Sequence, residues 1–94
     1  MPLETTTFDA AEYLDTPEAI AAYLADAVED NSPGALAQAL GTVARAKGMA
    51  AIATETGLGR ESLYKSLREG GDPKLSTVSK VLAAMGVRLT VEPA

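Results

Sequence analysis

Arg60, Glu61, Ser62, Tyr64, Lys65 and Arg68 crowd into one short stretch, Met49 to Arg68, which reads MAAIATETGLGRESLYKSLR. Their types suit one chemistry in particular. A guanidinium can donate two parallel hydrogen bonds to guanine, an ammonium can reach guanine or phosphate, and a carboxylate can accept from the amino group of cytosine. Ser62 and Arg68 suit backbone phosphate, contact with which fixes position without reading sequence. The same stretch supplies a frame for these groups. Read as helix, tight turn, helix, it places Ile52, Leu58, Leu63 and Leu67 on the inner side, with Arg60, Glu61, Tyr64, Lys65 and Arg68 outside. Ala53 must be small where the two helices cross, and Gly57 supplies the positive φ that ends the first. This is the layout of a pair whose second helix enters the DNA major groove. Each residue also has an ordinary role open to it. The whole set can be a solvated helix face, Glu61 can simply pair with Lys65 at i+4, and Tyr64 can be a core or rim aromatic.

Breakers divide the rest of the chain into further short helices. Thr16-Pro17-Glu18 is a helix start, with a capping hydroxyl and a proline suited to the first position. Ile20, Tyr23, Leu24, Ala27 and Val28 then follow the spacing of one apolar face. Ser32-Pro33 predicts a second start, for a helix with Leu36, Leu40, Val43 and Ala44 on one side. It ends at Arg45, Lys47 and Gly48, where cations suit the helix dipole and glycine a left-handed cap. The third helix runs from about Met49 to Thr56 and the fourth from about Arg60 to Glu69. After Asp72-Pro73 a fifth puts Leu75, Val78, Val81, Leu82 and Met85 on one stripe. Val87-Arg88-Leu89-Thr90-Val91 then alternates apolar and polar, the period of a half-buried strand. Eighteen alanines agree with small, closely packed helices.

Composition bounds the remaining possibilities. Ninety-four residues suit a single domain. With no cysteine and no histidine, disulfides, thiol redox chemistry, Cys/His zinc sites and imidazole catalysis are excluded. The carboxylates, serines, lysines and tyrosines form no convergent set, so no enzyme, metal or cofactor is expected. The longest apolar run, Ala19 to Ala25, falls far short of the roughly 20 residues that cross a bilayer. No basic, apolar leader opens the chain, so a cytoplasmic protein without membrane attachment is expected. The net charge of −5 argues on its face against nucleic acid. Its distribution says otherwise. Residues 1–32 hold eight acids and no base, whereas residues 33–94 carry every base and a balance of +3.

Ala53, Gly57, Leu58, Leu63 and Leu67 fit the spacing of the phage-repressor (Xre-like) helix-turn-helix family, which the chain resembles. Asp72-Pro73, Leu75, Val78, Val81, Leu82 and Met85-Gly86-Val87 fit that family's closing helix. AEYLDTPEAIAAYL (Ala11–Leu24) and GLGRESLYKSL (Gly57–Leu67) look like the addiction-module antidote proteins, a HigA-like branch. The similarity runs roughly from Phe8 to Pro93. It implies a mainly α fold, a five-helix lambda-repressor-like DNA-binding domain with an added N-terminal helix and a short C-terminal β-strand. The expected division within one domain, 1–94, is an acidic leader and helix at 9–32, a core at 33–86 with the motif at 49–69, and the strand at 87–91.

The resemblance also implies a function. Such proteins are understood as antitoxins of type II toxin-antitoxin modules: they bind and neutralise a RelE/HigB-type ribonuclease toxin and repress their own operon as homodimers on double-stranded operator DNA. Arg60, Glu61 and Lys65 match the positions that most often reach base edges. There are departures. The link between Gly48 and Ala53 is about two residues shorter than in typical phage repressors, and Ala50-Ala51 replaces a Thr-Gln pair that often clamps phosphate. Gly59 and Lys74 stand where serine caps are common. Weaker phosphate anchoring than usual follows from these, with Ser76 or Asp72 left to cap the last helix.

Two further surfaces carry expectations. Glu29 and Asp30 sit at a helix C-terminus, where the dipole disfavours negative charge. With Glu18 and Asp26 they form a candidate face for a basic toxin; the alternative is a solvated helix that completes the core. The strand, with Val87, Leu89 and Val91 on one side, needs a partner. That partner is the same strand of a second chain about a two-fold axis, or Thr5–Phe8 of its own. The functional readings that compete with an antitoxin are a stand-alone phage-type transcriptional regulator and a helical protein-interaction module without useful DNA binding.

Overall fold

A computed structural model describes residues 13–30, 32, 34–68 and 70–94. Among them the chain forms five helices: α1 (Pro17–Asp30), α2 (Ala35–Lys47), α3 (Met49–Thr56), α4 (Arg60–Ser66) and α5 (Leu75–Ala84). α1 packs on α2, and α3 packs against α2, α4 and α5, so α3 joins three of the other four helices. One cluster of buried side chains joins them, including Leu14, Ile20, Leu40, Val43, Ile52, Leu63, Leu67, Val81 and Met85. Leu14, only 1% exposed, belongs to it although it precedes α1 and lies outside any helical stripe.

α1 begins as its sequence dictates. The Thr16 Oγ1 accepts a hydrogen bond from the Ala19 N–H at 3.1 Å, and Ile20 N–H donates to the Thr16 carbonyl at 3.0 Å. Ile20 and Leu24 are buried, but Val28 is 58% exposed. Each i→i+4 step rotates about 40° around a helix of 3.6 residues per turn. Two steps from Ile20 therefore carry Val28 out of the contact.

α2 starts two residues later than the Ser32-Pro33 pair predicts. Its N-cap is Gly34, in a left-handed conformation with no side-chain cap. Ser32 takes part through its carbonyl, which accepts from Ala35 N–H at 3.1 Å; Pro33 lies outside the described residues. At the other end Gly48 has φ 104° and ψ 111°, so it is not the left-handed cap expected. It is a one-residue joint instead. Its N–H bonds back to Ala44 in α2 at 2.8 Å, and its carbonyl accepts from Ile52 in α3 at 3.1 Å.

The last helix differs from expectation in two respects. Lys74 is the N-cap of α5 without a side-chain hydrogen bond, so neither Ser76 nor Asp72 caps it. Leu75 opens the helix 68% exposed, because the neighbours that cover Val78 and Leu82 do not reach it. The expected C-terminal strand is also not formed: residues 87–94 run without helix or ladder. A strand exists only through its pairing, and Thr5–Phe8, the intrachain candidate, lies outside the described residues.

Candidate nucleic-acid interface

The turn between α3 and α4 is built by three adjoining residues. Gly57 has φ 75° and ψ 12°, the left-handed conformation expected of it, and its N–H donates to Ala53 at 2.9 Å. Thr56 completes the corner. Its hydroxyl donates to the Ile52 carbonyl at 2.7 Å and accepts from Leu58 N–H at 3.2 Å. One side chain thus adds a second bond to a carbonyl in the last turn of α3 and satisfies an N–H beyond the helix. Sequence reading passed over Thr56. The signal was a hydroxyl residue directly before the turn glycine.

α4 is pinned by its inner side. Leu63 and Leu67 are each 1% exposed and Leu58 is half-buried. Gly59 caps the helix in an extended conformation without a side-chain bond, and α4 ends at Ser66, short of the Glu69 expected. The C-cap Leu67 lies against α2 at Gly41, where an added Cβ would collide with the Leu67 carbonyl oxygen. Arg45, one turn further along α2, also sets its guanidinium beside Gly41, and so near the end of α4. Arg45 read in the sequence only as a cation suited to the α2 terminus.

Every residue nominated for DNA contact is exposed: Arg60, Glu61, Ser62, Tyr64, Lys65 and Arg68. Arg60 stands 6.0 Å from the centroid of the Tyr64 ring, so these two side chains share one ridge one turn apart. Tyr64 is 43% exposed, a rim aromatic and not a core one. No ion pair joins Glu61 to Lys65 among the described residues. Arg68 lies just past the helix. Ala50 and Ala51, at the exposed start of α3, offer no side-chain donor.

The acidic candidates occupy a different part of the molecule. Glu18, Asp26, Glu29 and Asp30 are all exposed on α1. They do not form one cluster. Asp26 and Asp30 border an open groove of about 390 Å³ between α1 and α2, together with Tyr23 and Gln38. Glu29 faces the other way, towards Arg88 and Glu92 of the C-terminal segment. No helix among the described residues is long and apolar enough to cross a membrane.

Comparison with known proteins identifies a family. Residues 4–93 match a family model described as "Probable addiction module antidote protein". A protein of Haemophilus influenzae strain Rd, described as uncharacterized, is 39% identical over 85 residues, covering 90% of this chain and 88% of its own. No solved structure matches.

Proposed function

Because the chain belongs to the family of probable addiction module antidote proteins, we propose that it is the antitoxin of a type II toxin-antitoxin module, acting by binding alone. In this reading it neutralises a RelE/HigB-type ribonuclease toxin by direct contact and represses its own operon through α3 and α4, a helix-turn-helix of the phage-repressor kind. The observation that carries the DNA half is the division of α4. Leu63 and Leu67 are buried to 1%, while Arg60, Glu61, Tyr64, Lys65 and Arg68 stand exposed. A helix fixed from behind presents its outer side chains to the major groove in a defined orientation.

Arg60 and Lys65 read base edges, with Glu61 beside them; Ser62 and Arg68 hold phosphate. Arg45, near the end of α4, adds a further phosphate contact. The acids of α1 supply the surface for a basic toxin, where complementary charge raises the association rate and selectivity. The molecule works as a homodimer, since two recognition helices are needed for a palindromic site.

A second reading, a protein-interaction module without useful DNA affinity, draws on Ala50 and Ala51, which offer no phosphate clamp. A mobility shift on the DNA upstream of the gene separates the two. A sequence-selective shift that weakens with salt supports the repressor; no selectivity over unrelated DNA leaves the interaction module. Co-expression with the product of the adjacent gene, followed by pull-down and growth rescue, tests the antitoxin itself.

A further inference from the structure

Beyond Gly86 the chain leaves α5 and runs along α1. Val87 is half-buried against the core, and its N–H donates to the Leu82 carbonyl at 3.0 Å. Arg88, Thr90 and Glu92 line a groove of about 310 Å³ with Leu24 and Val28. Leu89 and Val91 point elsewhere, 51% and 92% exposed. This is an alternating segment with an unpartnered apolar side.

We propose that a second copy of this chain docks here, the two Val87–Pro93 segments pairing antiparallel about a two-fold axis that passes through Thr90. The proposal rests on the homodimer reading and adds its register. Side chains alternate faces along a strand, so a two-fold axis normal to the pair must pass between a residue and its own copy. Three centres are then available. An axis at Leu89 sets Arg88 opposite Thr90 and Glu92 opposite Gly86, whose φ of 82° is not extended. An axis at Val91 sets Arg88 opposite Ala94 and Thr90 opposite Glu92. Only an axis at Thr90 sets Arg88 opposite Glu92 of the partner twice, Leu89 opposite Val91 twice, and threonine opposite threonine. Each of these is a favourable cross-strand pair.

Backbone donors are consistent with this register. Antiparallel pairs alternate between residues that exchange both hydrogen bonds and residues that exchange none. If Thr90 is a bonded pair, Arg88 and Glu92 also bond across, while Val87, Leu89, Val91 and Pro93 turn their backbone groups away. Pro93 has no N–H to give, and the Val87 N–H is already committed to Leu82. Both therefore fall at positions where the partner asks nothing of them. The Leu89–Val91 pairs fall at the non-bonded positions, where facing side chains come closest, and cover each other.

Charge reversal in the full chain, followed by sedimentation equilibrium, tests the register. The unaltered chain is expected to be a dimer. Arg88→Glu and Glu92→Arg each place like charges opposite one another, and each alone should weaken the dimer on the order of tenfold. Mixed in equal amounts, the two variants should form a heterodimer about as tight as the original. In that pair the introduced glutamate of one chain meets the introduced arginine of the other, and the unaltered Arg88 meets the unaltered Glu92. Loss of an intrachain contact between Arg88 and Glu29 would not be repaired by mixing. A monomeric unaltered chain overturns the dimer reading and the register together. A dimeric chain whose mixed variants show no preference for each other overturns the register alone.

Discussion

Gly41 of α2 and the carbonyl of Leu67 at the end of α4 meet with no room for a methyl group between them. Gly41 is buried within α2, so its lack of a side chain lets α4 settle against its support. Alanine there would gain about 1 kcal/mol of helix propensity. Overpacking against a backbone oxygen costs about 1–3 kcal/mol, and a carbonyl at a helix end cannot swing aside as a flexible side chain can. The loss wins. Gly41→Ala should lower the thermal midpoint and, by shifting α4, weaken DNA binding more than its stability loss explains. A midpoint that rises would mean that α4 does not seat at this point.

Thr56 ties α3 to the turn through two hydrogen bonds from one hydroxyl. Thr56→Val keeps the shape and removes both, which should destabilise the fold by about 0.5–1.5 kcal/mol for each bond lost, on the usual scale for neutral hydrogen bonds. Thr56→Ser should retain most of the stability. Urea unfolding of the two variants separates the hydroxyl from the methyl; equal losses in both would assign the contribution to packing.

The places where sequence reading succeeded and failed follow one physical line. Thr16, Gly57, Leu63 and Leu67 were legible because their roles are local: a cap, a turn, a helical period. Gly41 and Leu14 were not, because each depends on an element distant in the chain. Val28 and Leu75 fit the apolar period yet lie exposed, since period shows which side a residue is on and not how far the neighbour extends. The outer residues of α4 were legible as a set. The stacking of Arg60 with Tyr64 needed coordinates, as did the position of Arg45. The strand expected at 87–91 is not formed, because an alternating period cannot supply the partner that a strand needs.

The Arg60–Tyr64 contact makes a distinct claim about DNA recognition. A cation over an exposed ring gains about 0.5–1 kcal/mol, enough to bias the guanidinium towards one orientation. Arg60→Ala should cost about 1–3 kcal/mol of operator affinity and relax selectivity at one base pair. Tyr64→Phe should bind nearly as the original does, whereas Tyr64→Ala should lose part of the selectivity that Arg60 confers. Binding titrations against operators substituted at single positions would show this. If Tyr64→Ala leaves the preference at the Arg60 position intact, the ring does not orient the arginine.

Glu29 and Asp30 pose a trade between stability and binding that can be measured on both sides. At the C-terminal turn of α1 each carboxylate opposes the helix dipole by roughly 0.3–1 kcal/mol, and no base stands in that last turn. Reversing both to lysine should therefore raise thermal stability. If these acids meet a basic toxin, the same change should slow association and flatten its dependence on salt, because steering by complementary charge acts mainly on the encounter rate. Their positions refine the expectation. Asp30 borders the groove between α1 and α2 and Glu29 the groove under Arg88, so the two single reversals should not act alike. A toxin that docks on α2 responds to Asp30→Lys, and one that docks beside the C-terminal segment to Glu29→Lys. Unchanged association and salt dependence in the double variant would remove α1 from the toxin interface and leave its acids as solvated surface.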